Sequence, residues 1–237
     1  MAGRTIGSNK GVVPSADSFR IHGYKNGAKV RRCPSREDTM SHRILAVVFS
    51  CALAAGASYA SDQLQNIPLK WTPKESIGSI GPLDLSGALL TTKIRIDTFT
   101  DARPDTASVA ENREKSQPRP VTTSSDVPAF IADHMKEVMR GLGLSIVDGD
   151  GDVSLSAEVR QFFVTETNTY HGDISLLVHL KNAAGKEIWS GVVLGSAEHF
   201  GRSYKAENYD ETFSDTVVHA TYNLLANPTF HEALAKR

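Results

Sequence analysis

Ser203 lies between His199 and Asp210 in the stretch HFGRSYKAENYDETFSD, so one segment holds the three side-chain types of a hydrolytic relay. A relay needs hydroxyl, imidazole and carboxylate in line, and an α/β-hydrolase serine sits in a GxSxG turn. Neither Gly195-Ser196 nor Gly201-Arg202-Ser203 fits that turn, which makes a cell-wall hydrolase the weakest functional reading. The chain also lacks a GxxxxGK[ST] phosphate loop and a GxGxxG dinucleotide turn.

Asp148 to Asp152, DGDGD, alternates three carboxylates, the hard oxygen ligands that calcium prefers. The spacing fails for an EF-hand, because Val153 stands where the loop needs Gly and Val159 where it needs a bidentate Glu. A turn between helix and strand is expected there instead. His134, His171, His179, His199, His219 and His231 fall into no HExxH or HxH arrangement, so neither a metal nor any other cofactor is expected.

Two polar stretches remain as candidate binding residues: Asp101, Arg103, Asn112 and Arg113 in one, and Arg202, Tyr204 and Tyr209 in the other. Arg, Tyr and Asn recognise carboxylates, sugars and protein backbones. The plainer alternative is that the arginines pair with neighbouring acids and the tyrosines pack on a sheet.

The elements that would position these groups are read from periodicity. Residues 61–88, with Pro68, Pro73 and Pro82, form a Pro/Gly-rich leader running over or away from the core, its Trp71 free to pack on the domain or on a partner. Ile94, Ile96 and Thr98 alternate with Lys93, Arg95 and Asp97 as a half-buried strand. Residues 101–126 form a long polar connection. Ser125 and Asp126 then cap a helix with Pro128 in its first turn, whose apolar stripe Val127, Ile131, Met135, Val138 and Leu142 ends at Gly143. Strands follow at Val153–Val159, Ile174–Leu180 and Glu187 onward, the last two joined by NAAGK as a hairpin. A closing helix carries Phe213, Val217, Ala220 and Leu224, with Asn208 and Asp210 as its caps, and a short helix follows Asn227-Pro228. The order β-α-β-β-β-α predicts an α+β fold over residues 89–237: a mostly antiparallel sheet of four to five strands with two helices on one face.

The compartment is read upstream. From Met40, a basic start with His42 and Arg43, an apolar run Ile44–Ala57 and Ser58-Tyr59-Ala60 make up a signal peptide over residues 40–60, cleaved before Ser61. Residues 1–39, polar and without periodicity, read as a disordered pre-signal segment, with Met40 as the true start or, alternatively, as part of an extended n-region. Val48-Phe49-Ser50-Cys51 approximates a lipoprotein box with a bulky Phe49; acylation at Cys51 would anchor the product to the outer membrane, and cleavage before Ser61 would free it in the periplasm. Residues 61–237 hold 17 Lys and Arg against 24 Asp and Glu and no cysteine, a net charge of −7. That acidity argues against nucleic acid, and the missing cysteines exclude disulfides and thiolate chemistry in the domain.

The strand IRIDTFTDAR, the helix SSDVPAFIADHMKEVMRGLGLSIV, the hairpin around YHGDISLLVHLKNAAGKEIW and the segment SYKAENYDETFSDTVVHATYNLL together resemble the YajG-like family of uncharacterised bacterial envelope lipoproteins, over residues 85–235. The layout is also similar to the N-terminal domain of TolB and to LpoB-type and transport-auxiliary lipoproteins. The resemblance implies a periplasmic location, tethering through an acylated cysteine, and no catalytic residues. The expected function is that of a noncatalytic envelope protein binding another periplasmic protein or a peptidoglycan component. The alternative is an auxiliary subunit of an envelope transporter that binds lipid or another apolar ligand.

Overall fold

A computed structural model describes residues 63–237, so the expected signal peptide, the segment before it and Cys51 lie outside the described residues. After the leader come two single-turn helices, α1 (Ile77–Ile80) and α2 (Ala88–Thr91), and four short strands, β1 (Ile94–Ile96), β2 (Thr100–Asp101), β3 (Ser108–Asn112) and β4 (Arg119–Thr122). Helix α3 (Val127–Gly141) and strand β5 (Ile146–Val147) lead into the long strands β6 (Val153–Glu166), β7 (Thr169–Asn182) and β8 (Glu187–Phe200). Helices α4 (Ala206–Leu225) and α5 (Pro228–Ala235) close the chain.

Strand β6 is the spine of one eight-stranded mixed sheet. Along one edge it pairs antiparallel with β7 from Val153↔Asn182 to Glu166↔Tyr170, and β7 pairs in the same sense with β8. Along its other edge it receives three parallel partners in succession: β1 at Val153–Leu155, β2 at Glu158–Val159 and β3 at Val164–Glu166. Strand β5 adds beside β1 in parallel, and β4 beside β3 antiparallel.

This architecture corrects the expected fold. The sheet has eight strands and is mixed, and five helices occur among the described residues, where four to five mostly antiparallel strands and two helices were expected. The extra strands come largely from the stretch 101–126, expected to be a polar connection. It holds the β3–β4 hairpin, whose buried apolar contribution is only Val109, Ala110 and Val121, too few to show a period of two. Parallel pairing of β3 to β6 and antiparallel pairing of β4 to β3 satisfy the hairpin's backbone without demanding apolar side chains.

A bulge between Val159 and Gln161 keeps one face of β6 inward over its whole length. Val153, Leu155, Ala157 and Val159 face the core before it, and Phe162, Val164 and Glu166 after it. Helix α4 packs on β8, β7 and β6, and α3 lies against α4, β2 and β5. The N-cap of α3 is Asp126, whose carboxylate accepts the Ala129 N–H, and Pro128 occupies the first turn. The N-cap of α5 is Asn227, accepting from Thr229 and Phe230. Helix α4 begins earlier than its stripe suggested: its N-cap is Lys205, so Asn208 and Asp210 lie inside the helix rather than capping it.

The leader lies on the core. Ile67 bridges to Thr123, and Trp71 stacks on the His134 ring at 4.2 Å. Among the described residues no helix is long and apolar enough to cross a membrane.

Candidate functional site

Glu166 ends β6 with its side chain fully buried, a placement set by the bulge upstream. A buried carboxylate needs donors on both oxygens, and here the Tyr204 N–H donates to Oε1 at 2.9 Å and the Tyr209 hydroxyl to Oε2 at 2.5 Å. Burial, and then the hydrogen bond and charge of Glu166, push the Tyr209 hydroxyl far above its ordinary range, so it stays protonated as the donor.

Tyr204 holds a left-handed backbone, φ 45°, uncommon for a residue with a side chain. Its surroundings fix it there: the hydroxyl donates to the Pro120 carbonyl and accepts the Leu64 N–H, and the Arg119 guanidinium lies 3.8 Å from the ring centre. Arg119 also donates to the buried Asn112 side chain at 3.1 Å. Nearby, the Tyr170 hydroxyl, Ser203 Oγ and Asn208 Nδ2 form a closed triangle.

Asn112, Arg113, Arg202, Tyr204 and Tyr209 therefore meet at one end of the sheet. Arg113 pairs there with Glu111, and Arg202 approaches Glu114 at 3.9 Å; both arginine side chains are more than half exposed. Asp101 and Arg103 lie elsewhere, in register with Val159 rather than Glu166 and so about 20 Å away along β6. Arg103 grips Asp101 with Nε and Nη2 at 2.9 and 2.8 Å and donates to the Thr106 and Ser108 carbonyls, which clasps the β2–β3 connection. Burial works against the Asp101 charge, but hydrogen bonds from the Arg103 side chain and amide and the guanidinium charge outweigh it, holding the carboxyl below its ordinary range.

The three relay residues are separated. Ser203 bonds to Tyr170 and Asn208, Asp210 accepts the Lys70 N–H at 3.2 Å, and His199 faces Asp215. Asp148 of the DGDGD turn takes Arg140 at 2.8 Å, and Asp152 accepts the Lys93 amide.

Sequence inspection missed three groups. Glu166 and Arg119, at the centre of the polar end, stand in strands that gave no sign of meeting the tyrosines. Glu75, His199 and Asp215 converge from the leader, β8 and α4 with one potential ligand atom from each within 4.8 Å of the others. The outer face of β8 exposes Val192, Leu194 and, at 91%, Phe200. Alternation did contain that last feature, because Val192 and Leu194 occupy the expected polar phase of a strand. A largely apolar groove of about 350 Å³, lined by Pro104, Phe162, Phe163 and Arg103, opens beside the β6 bulge.

The fold and these sites define a helix-covered mixed-sheet domain in which most candidate recognition residues are engaged in internal contacts. Residues 92–235 match the family described as uncharacterized lipoprotein, more than half of the chain, and the protein belongs to that YajG-like lipoprotein family. Membership implies an envelope-associated protein, and the family carries no enzymatic description. No curated protein matches the chain. Among solved structures it is similar to protein XCC0632 from Xanthomonas campestris, at 13% identity over 69% of this chain and 89% of that one, TM-score 0.44. It is also similar to the PelC dodecamer of Paraburkholderia phytofirmans, at 11% identity over 61% and 94%, TM-score 0.37. Lipoprotein GNA1162 of Neisseria meningitidis matches at 13% identity over 47% and 87%, TM-score 0.24. Likenesses this shallow carry no functional argument.

Proposed function

We propose that the protein is a noncatalytic module of the periplasmic cell envelope that binds another envelope protein through the open edge and outer face of β8. The observation that carries this reading is that, among the described residues, β8, fourteen residues long, has β7 as its one strand partner, its other edge meeting the Asn223 side chain at the Leu194 carbonyl, and its outer face displays Val192, Leu194 and Phe200 to solvent. A long unpaired edge with apolar side chains invites pairing with another chain, and proteins that do not use such an edge blunt it with Lys, Pro or a cover. Leu177 of β7 stands beside Val192 and extends the patch. Phe200 sits opposite Thr169, at the end of the sheet that holds Arg113 and Arg202, and exposed Ser196 and Glu198 separate it from Leu194, so the outer face mixes apolar anchors with polar and charged side chains. Strand addition, with main-chain hydrogen bonds for affinity and the alternate side chains for specificity, is the mode this geometry suits.

Photo-cross-linkers placed in vivo at Val192 and at Phe200 should each yield the same discrete protein adduct, while one at Lys236, on the surface at the far end of the chain, yields none. Equal labelling from all three positions, or retention of the protein on isolated peptidoglycan with no protein adduct, would overturn the reading.

A further inference from the structure

We infer that Glu75, His199 and Asp215 form a binding site for a divalent transition-metal ion. Asp215 is fully buried in α4, and its Oδ1 is satisfied by the Lys74 and Glu75 amides at 2.8 and 2.9 Å. Its Oδ2 has no hydrogen-bond partner, and neither has the buried His199 Nε2 that faces it from β8. The two atoms are 2.8 Å apart, yet the direction between them departs from the line of the ring N–H, so proximity is not converted into a hydrogen bond. Two buried polar atoms left unpaired cost folding free energy that a native structure normally avoids. A cation between them would give both atoms a partner, because zinc takes imidazole nitrogen and carboxylate oxygen at about 2.0 to 2.2 Å in a tetrahedron whose donors stand about 3.4 Å apart, so the pair at 2.8 Å need open by only about half an ångström.

Glu75 completes the donor set from the leader. The His219 Nε2, one helical turn beyond Asp215, lies 2.7 Å from Glu75 Oε2. That contact orients the carboxylate as outer partners do around metal centres. One nitrogen and two carboxylates carry enough negative charge for a divalent ion and leave coordination positions for water. The site would also tie leader, β8 and α4 together at one point, so occupancy should stabilise the folded chain by mass action. The sequence did not announce it, because Glu75 and Asp215 are 140 residues apart and the His–Asp pair follows no ligand spacing.

The test uses the purified full-length chain, stripped with chelator and titrated with Zn²⁺ against a chromophoric competitor, with wild type compared to His199→Gln and Glu75→Gln. Each substitution should weaken the tightest binding event by at least about tenfold and abolish the Zn²⁺-induced rise in Tm. His179→Gln, at a half-buried histidine paired with Glu187 outside the cluster, should change neither. Binding by the histidines left unchanged in every variant and by Cys33 and Cys51 is common to all four proteins and drops out of the difference. If His199→Gln fails to fold, Glu75→Gln, at a partly exposed leader residue, carries the comparison. Superimposable titrations of wild type and the folded variants, or no rise in the wild-type Tm, overturn the site.

Discussion

At the scale of single residues, the buried Asp210 and the half-buried Asp101 behave in opposite ways. Asp210 is nearly fully buried, and its pKa is raised from 3.8 to about 6, chiefly by burial; the Lys70 amide and charge oppose the rise, and the Glu207 charge adds to it. The folded state therefore binds this proton more tightly than the unfolded chain does, and stability attributable to Asp210 falls as pH rises from about 4 to about 6. Asp210→Asn keeps an acceptor for the Lys70 N–H and removes the buried charge. Urea denaturation at pH 7 should show the variant more stable than wild type by up to about 3 kcal/mol, with that part of the pH dependence lost; a less stable variant would show that the ionised carboxylate is a net stabiliser. Asp101 carries the reverse sign: its depressed pKa contributes stability at neutral pH that is lost as acid protonates the carboxyl. The polar character of both candidate stretches was legible in residue types. Their partners were legible only where adjacency supplied them, as for Asp101 and Arg103, and not where the fold did, as for Glu166 and Tyr209, which lie 43 residues apart.

At the scale of elements, the approach of α4 to the sheet decides the packing. Thr212, Thr216 and Ala220 recur one turn apart on α4 and face Gly172 of β7 and Gly195 of β8. A Cβ on Gly195 would stand 2.5 Å from both the Ala220 nitrogen and the Thr216 carbonyl oxygen, backbone atoms that cannot swing aside. Gly195→Ala should therefore lift the helix from β8 and lower stability by about 2 to 3 kcal/mol, read as a reduced urea midpoint with an unchanged slope. A midpoint within error of wild type would mean that α4 sits less tightly than described. The three long strands were legible because their alternation persists for many residues. Among the parallel partners, β1 was legible in the alternation of Ile94 and Ile96, whereas β2 and β3 were not, since each is five residues or fewer and draws its stability from β6 rather than from its own apolar face. The glycines, read locally, mark weak points in a strand; only the helix above them explains why side chains are excluded there.

At the scale of the whole molecule, the leader is stapled to the domain by side chains of α4 and its neighbours. The amides of Lys70 and Thr72 donate to Asp210 and Ser214, those of Lys74 and Glu75 to Asp215, and that of Leu69 to Ser125. Spacing makes the match: alternate residues of an extended chain advance about 6.6 Å, close to the 5.4 Å of one helical turn. Polar residues on the buried face of α4 thus do for the leader what a neighbouring strand does in a sheet. Because the bonds come from side chains of another element, the leader needs no periodicity of its own, and its prolines break nothing. The amides of Leu69, Lys70, Thr72, Lys74 and Glu75 should then be protected from hydrogen exchange by about a hundredfold or more over an unstructured peptide. Asp215→Ala should release Lys74 and Glu75 before it releases Leu69, because only the first two lose their acceptor. Exchange of all five at unstructured-peptide rates in the wild type would detach the leader from the domain and, with it, Glu75 from its place beside His199 and Asp215.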